Sequence, residues 1–307
     1  MTIKKSVGGP ILCVGIATID LISLLPSFPE SNSRVVAEVM VFAGGGPAAT
    51  AAVALARLGH QVKLITSVGD DDLGRLAITQ LAVEGIDVSA IEKESSRQTS
   101  ISQVLVNSKS SERLIVTRPD AVGEVAVRKF DFEIPSTWVH IDQTGYRAIL
   151  ARGNRKAIFE KHFISIDGGN NIEGLDLQDV ELYVPTIDQL KEIFGHRESV
   201  SDLLSAALSA GAKTVVATDG ANGCYTLVGS EVWHAPAHRG TVYSTLGAGD
   251  VFHGALLGAI VDGKDIKAAM KCANLCAFMS CEGLDGRSAI PRAIELEKAL
   301  NNNMRSN

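Results

Sequence analysis

Short continuous apolar runs alternate with longer stretches of helical spacing along most of this chain. The first run opens at Ile11 to Ile16 and reaches Ile19 before ending at Asp20, the pattern of a strand buried on both faces. Ala48 to Leu58 is Ala-rich and closed by Gly59, a helix with a clear stop signal. Val62 to Ser67 reads as the next strand, and Leu73 to Val83 as a helix stopped by Gly85. Further strands fit Trp138 to Ile141, Phe163 to Ile166, Leu182 to Val184 and Thr214 to Ala217. Helices fit between them, including Ser199 to Ala210 before Gly211. A hairpin over Gly223 to Val228 and Val232 to Ala235 follows. Then come a long apolar helix from Val251, another from about Ile266 to Ser280, and a terminal helix opened by Pro291. Strand and helix in alternation imply a parallel sheet covered on both faces.

Two regions break the alternation. Arg34 to Phe42 has partial strand periodicity, and Ser100 to Asn107 with Arg113 to Arg118 reads as a hairpin across Ser108-Lys109-Ser110-Ser111. These strands, at about 32–43 and 99–119, predict a small antiparallel sheet inserted into one domain spanning 1–307, a candidate lid.

Composition narrows the function. An apolar content of 46% excludes a disordered chain, and the 29 glycines follow no collagen period. A net charge of −6 argues against nucleic acid as the main partner. No apolar run is long enough to span a bilayer and no secretory signal is visible, so the expectation is a cytoplasmic protein without a membrane partner. Five cysteines do not suggest a disulfide framework; Cys272, Cys276 and Cys281 read as buried thiols rather than metal ligands.

Two glycine motifs carry the candidate chemistry. Thr245-Leu246-Gly247-Ala248-Gly249-Asp250 turns tightly into the apolar helix, whose first amides attract an oxyanion. Asp250 at that rim is placed to take a proton from an attacking hydroxyl. Gly44-Gly45-Gly46-Pro47-Ala48-Ala49-Thr50 precedes another helix, with side chains absent where a ligand could meet backbone. Taken alone, each motif is equally a packing turn. Neither has the Lys of a phosphate loop, and Gly15 to Ile19 is not a dinucleotide turn.

In this order on this alternation, the two motifs resemble the signatures of the ribokinase-like (PfkB) family of sugar kinases, over nearly the whole chain. Val68-Gly69-Asp70-Asp71-Asp72-Leu73-Gly74 resembles the segment after that family's second strand, and the interrupting strands its β lid. The resemblance implies an α/β three-layer sandwich with a mostly parallel central sheet and a small antiparallel β lid. It implies transfer of the γ-phosphoryl group of ATP, with Mg²⁺, to a sugar hydroxyl, and a homodimer through the lid. Carried over by position, Asp250 is the catalytic base and Gly247, Ala248 and Gly249 form the anion hole. Asp20, Gly44, Gly45, Gly46 and Thr50 lie at the sugar. Thr218, Gly220 and Gly223 lie at the nucleotide, with Asn274 beside adenine. Asp167, at the end of its strand and before Gly168-Gly169-Asn170-Asn171, is expected either to touch sugar or Mg²⁺ or to serve the turn.

The chain departs from the family pattern at Thr50, where Asn is usual, and at Ser244, where Asp is usual. The Asn-x-x-Glu element linked to Mg²⁺ falls at Thr186 to Gln189. Asp188 and Glu192 are the nearby acids, and the metal ligands stay unassigned. Gly44 to Val53, Gly247 to Leu256 and Gly286-Arg287-Ser288-Ala289-Ile290-Pro291 resemble the sulfofructose kinase branch, which phosphorylates a sulfonated ketohexose. Arg34 and Arg118 on the lid would then supply cationic donors. His140, His162 and His253 show no ligand spacing, and His253 reads as a packed helix residue. A nucleoside kinase of the same fold, or a weakly catalytic sugar-binding regulator, are the other readings left open.

Overall fold

The computed structural model of the chain describes residues 9–110, 112–118, 137–153 and 155–305. Residue 119, the last of the expected lid, lies outside them. The central sheet runs in the order β11 (Val180–Pro185), β10 (Phe163–Gly168), β9 (Trp138–Ile141), β1 (Ile11–Val14), β4 (Val62–Ile65), every pair parallel. Two parallel bridges, Tyr183 to Val215 and Thr186 to Thr218, attach β12 (Val216–Thr218), and β13 (Cys224–Val228) and β14 (Glu231–Ala235) continue antiparallel from it.

The strands are predominantly apolar because alternate side chains serve two cores. In β1, Ile11 and Cys13 join the helices on one face, while Leu12 and Val14 join those on the other. The first core takes α1 (Pro47–Arg57), α2 (Asp72–Val83), α7 (Ala248–Val261), α8 (Ile266–Ser280) and Leu296 of α9 (Ala293–Arg305), and α2 is flanked by the short parallel pair β5 (Ser67–Gly69) and β6 (Glu92–Glu94). The second takes α3 (Gln143–Ala151), α4 (Arg155–Lys161), α5 (Ile187–Phe194) and α6 (Val200–Ser209). The three expected layers are therefore present. α7 is buried from Val251 to Ile260, as an all-round apolar helix must be. It approaches α1 so closely that a Cβ on Gly254 would lie 2.5 Å from the Ala51 carbonyl oxygen. That contact sets the starts of the two helices, and so the two glycine motifs, side by side.

The lid has four strands in the order β3 (Val39–Gly45), β2 (Thr18–Leu25), β7 (Ile101–Asn107), β8 (Arg113–Arg118). Its outer pairs are antiparallel and its central pair, β2 with β7, is parallel. Two expectations need correction. The run from Ile11 to Ile19 is not one strand, since the chain leaves the central sheet after Val14 and enters the lid at Thr18, which puts Asp20 inside a lid strand. The first lid segment pairs only from Val39, so Arg34 sits in exposed irregular chain before it. Among the described residues no helix is long and apolar enough to cross a membrane. Cys272, Cys276 and Cys281 are buried free thiols, with burial the main reason their proton affinity is raised.

Candidate active site

Three helix starts converge beyond the carboxyl ends of β1 and β9. Asp142 caps α3 by accepting from the amides of Thr144 and Gly145, each at 2.9 Å. Its other oxygen accepts from Ile16 at 2.8 Å and from Ala48, in the first turn of α1, at 3.2 Å. One buried carboxylate thus ties the end of β1 to two helices. Burial pushes its pKa up to about 6 against the pull of these amides. A Cβ on Gly15 would lie 2.2 Å from this carboxylate, so glycine is required there.

The Gly44 to Gly46 motif leads from the end of β3 into α1. Its open sides are filled by other side chains. A Cβ on Gly45 would fall 2.3 Å from Asp20 Oδ2, one on Gly44 2.0 Å from Arg287 Nη1, and Gly46 adopts φ 93° beside the Ile16 carbonyl. Asp20 is 8% exposed, and burial raises its proton affinity while Arg287, Thr18 and Ser102 oppose that shift. Directly across the strands stand Ser102 and Thr117, whose hydroxyls lie 3.2 Å apart. This face of the lid is polar at the glycine end and apolar farther on, where Ile22, Ala43, Val104 and Val106 pack near Leu246 and Leu284.

Arg287, legible in the sequence only within the stretch Gly286 to Pro291, has no role assigned there. It is 8% exposed, donates from Nη2 to the Gly45 carbonyl at 2.6 Å and from Nε to Thr50 Oγ1 at 3.2 Å. Burial draws its pKa down to about 10, opposed by Asp20, Asp250, Asp285 and Glu84, so it stays cationic at neutral pH. Its own carbonyl accepts from Arg57 Nη1 at 2.7 Å, and Arg57 is in turn held bidentately by Glu84 at 2.6 and 2.9 Å.

α7 begins at Gly247, φ 71°, and no side chain caps it, which leaves early amides available to a ligand. A Cβ on Gly249 would meet nothing within 4 Å, so the space above this turn is open. Asp250 is half-buried at the same turn. Its pKa is pushed up to about 8 by burial first, with Asp167 and Asp142 adding and His253 and Arg287 opposing. Thr245, just ahead of the turn, accepts a hydrogen bond from Arg113 of the lid. Arg113 is therefore the lid arginine in contact with this loop. Arg118 donates instead to the Thr99 carbonyl at 3.1 Å.

The structure brings Asp167 and His253 together. His253 is not merely packed, because its Nδ1 lies 2.9 Å from Asp167 Oδ2, with both residues no more than 4% exposed. His140 completes a trio whose ligand-capable atoms lie within 4.8 Å of one another. Such a trio is of a kind that can bind a metal, yet the 2.9 Å contact brings two of its members directly together.

At the sheet's far end, Thr218, Gly220 and Gly223 share one turn. Gly220 has φ 51° with open space beyond, and Gly223, at φ 98°, lies against the Ala235 carbonyl. Asn274 uses its amide to hold the Ala235 and Pro236 carbonyls at 2.9 and 3.1 Å, so it braces the wall of this region. Thr186 caps α5 and accepts from Gln189 at 3.0 Å. Asp188 pairs with Lys191 at 3.0 Å, and Glu192 accepts from Gln189 at 3.0 Å.

Fold and cleft together define a ribokinase-like phosphotransferase. A family model described as pfkB family carbohydrate kinase matches residues 10–164 and 173–293, and the chain belongs to that family. It is 26% identical over 311 residues to a deoxyribokinase of Salmonella typhimurium, covering 95% of this chain and 99% of that one. A putative ribokinase from Agrobacterium tumefaciens has the same fold, with TM-score 0.83, 24% identity, and 97% and 99% of the two chains covered. A putative ribokinase II from E. coli, solved in complex with ATP and Mg²⁺, superposes with TM-score 0.80 at 19% identity over 95% and 99%.

Proposed function

We propose that this chain transfers the γ-phosphoryl group of ATP to a hydroxyl, of the primary kind, on a small sugar or sugar derivative. The observation that carries this reading is a carboxylate of raised proton affinity, Asp250, at an uncapped helix start with open space above it. The backbone suits a phosphate here, since the helix start is uncapped by any side chain and the space beside Gly249 is open. When bound, MgATP supplies the phosphoryl group, with the cation held mainly by phosphate and water. Asp188 and Glu192 are engaged on the surface of α5 and are not assigned to it.

This chain's residues then have separate tasks. Asp20, aligned with Ser102 and Thr117, accepts from sugar hydroxyls and fixes their orientation. Gly44, Gly45, Gly46 and Thr50 form the adjoining wall, and Arg287 holds that wall rigid. Asp250 takes the proton of the attacking hydroxyl. The amides of Gly247, Gly249 and Asp250 face the charge that builds on the transferring group, while that of Ala248 donates to the Thr245 carbonyl at 3.3 Å and would turn to the ligand only by giving up that bond. Thr218, Gly220 and Gly223 border the nucleotide, with Asn274 supporting the neighbouring strand end.

The lid closes over the acceptor, and its contact from Arg113 to Thr245 supports that role. An anionic substituent, as on sulfofructose, would meet Arg113 or Arg118, whereas Arg34 lies farther out along the chain in exposed backbone. The outer lid face presents Met40, Phe42, Leu114 and Val116, each more than half exposed, which supports a homodimer formed through the lid. We read the chain as one kinase domain with this lid inserted, working in the ATP-rich, thiol-reducing cytoplasm, in keeping with its buried free cysteines.

A coupled ADP-release screen with pentoses, deoxypentoses, ketohexoses, sulfofructose and nucleosides tests the reading. Acceptor-dependent turnover with a sugar is expected. Binding of a sugar without turnover across the panel would favour a regulator, and nucleoside-only turnover would favour the nucleoside kinase.

A further inference from the structure

The reading above leaves Asp167, His253 and His140 without a task, although all three are buried beneath the proposed base. His253 follows Asp250 by three residues on α7, which sets the two on one helix face a turn apart. Asp167 ends β10, where the amide of Gly169 donates to its Oδ1 at 2.8 Å and His253 Nδ1 stands 2.9 Å from its Oδ2. From Asp167 and His253 we infer a further positioning device, resting on the assignment of Asp250 as base: the imidazolium of His253, held by Asp167, is the fixed counter-charge that keeps Asp250 able to ionise.

The charges around the base make such a device necessary. Asp250 is influenced by Asp167 from β10, Asp142 from the start of α3, His253 from its own helix and Arg287 from the loop before α9. Three carboxylates therefore share a poorly solvated region, and like charges in such a place suppress one another's ionisation. Arg287 is already committed to Gly45 and Thr50. A second cation is required nearer the base, and His253 is the group in position.

The other histidine cannot serve. His140 faces the pair with ring centroids 6.1 Å apart, and its Nδ1 is 3.2 Å from Ser165 Oγ. Burial and the charge on His253 push its pKa down to about 4, so it forms a neutral wall. Among the described residues, His140 Nε2 and the Tyr183 hydroxyl lack a hydrogen-bond partner, and His253 Nδ1 meets Asp167 Oδ2 at 2.9 Å outside hydrogen-bond geometry, so that contact is one of proximity and charge. Burial alone would discharge His253, but Asp167 and Asp250 more than offset it and raise its proton affinity. Asp167 moves the opposite way: burial would raise it, and His253 with His140 and the Gly169 amide bring it below its ordinary value.

The test is the pH profile of kcat/KM for His253→Gln, measured by acceptor-dependent ADP release. Removal of the cation leaves Asp167 uncompensated, and the acid limb moves up by about one pH unit or more. A further Asp167→Asn change in the same protein removes the uncompensated charge and returns the limb toward the wild type. A structural role predicts lower activity with an unmoved limb in both proteins, and that result overturns the inference. Imidazole nitrogen NMR on the wild-type protein gives an independent readout if a variant fails to fold. One buried histidine titrates above the ordinary imidazole range while another stays neutral; no buried imidazole titrating above that range contradicts the proposal. One equivalent of a tightly held transition metal in the purified protein, lost in Asp167→Asn, also overturns it. Asp250→Asn separates the two levels. Activity surviving that change defeats the base assignment itself, whereas an inactive Asp250→Asn with an unmoved His253→Gln limb defeats only the counter-charge.

Discussion

Replacement of Arg287 by Met probes the link between the two glycine motifs. Met keeps much of the side-chain length but can neither donate nor carry charge. The change removes the donations to Gly45 O at 2.6 Å and Thr50 Oγ1 at 3.2 Å and leaves Asp20 buried without its cationic neighbour. Hydrogen bonds from a charged donor contribute about 1.5–3 kcal/mol each. Removal of one partner from a buried charge cluster typically costs about 3–5 kcal/mol, because the remaining charge is left uncompensated. Since Asp20 can take up a proton instead, we expect a loss near the lower end, about 3 kcal/mol. That is a large part of the roughly 5–15 kcal/mol that holds a domain together. Urea denaturation followed by far-UV circular dichroism measures it, with the midpoint falling and the slope unchanged. KM for the sugar should rise more than kcat falls, since the sugar wall loosens while Asp250 remains. Arg287→Lys should recover only part of both, as an ammonium cannot span the two acceptors. A stability loss under about 1 kcal/mol with an unchanged KM would refute the bracing role, since it falls well below the typical cost of about 3–5 kcal/mol.

Further expectations follow from single contacts. Gly249→Ala meets no atom within 4 Å and suits a helix, so Tm should hold or rise slightly while turnover falls by about 100-fold or more as the methyl enters the phosphate cradle. Gly45→Ala sets a methyl 2.3 Å from Asp20 Oδ2 and should raise KM for the sugar in steady-state assays, with little change in the apparent KM for ATP. Val116→Lys on the outer lid face should shift the protein from dimer to monomer by sedimentation velocity; an unaltered dimer would place the interface elsewhere. The Asp167–His253 pair also predicts a stability window. The lowered Asp167 contributes fully above its unfolded value of 3.8 and loses this as pH falls through its folded value. The raised His253 contributes fully below its unfolded value of 6.5 and loses this as pH rises through its folded value. Thermal melts should therefore show the wild type gaining most over Asp167→Asn/His253→Gln between those two values.

Much of the architecture was legible because strands buried on both faces and helices of a sandwich leave strong periodic traces. The extents of Trp138–Ile141, Arg113–Arg118 and Ile266–Ser280 follow directly from apolar patterning and flanking turns. The break between Val14 and Thr18 was not legible, because Gly15-Ile16-Ala17 continues the apolar run while the backbone changes sheets. The glycine motifs were readable as helix openings, but not the reason for each glycine, which is set by residues far along the chain. Arg287 meets Thr50 across 237 positions, and Asp142 meets Ala48 across 94. Local signals did exist. Asp142-Gln143-Thr144-Gly145 is a helix cap after a strand, and Arg287 lies in a Gly-rich turn before Pro291. Neither pattern says that its side chain reaches into the cleft. The pairing of Asp167 with His253 was likewise hidden, since it depends on β10 and α7 packing together, not on spacing.

The central claim is that Asp250 is the base for phosphoryl transfer to a sugar hydroxyl, and Asp250→Asn tests it most directly. With a saturating acceptor found in the screen, sugar-dependent ADP release is predicted to fall by at least about 1000-fold, while sugar binding by calorimetry stays within a few-fold of the wild type. Turnover within tenfold of the wild type, with binding intact, would contradict the account.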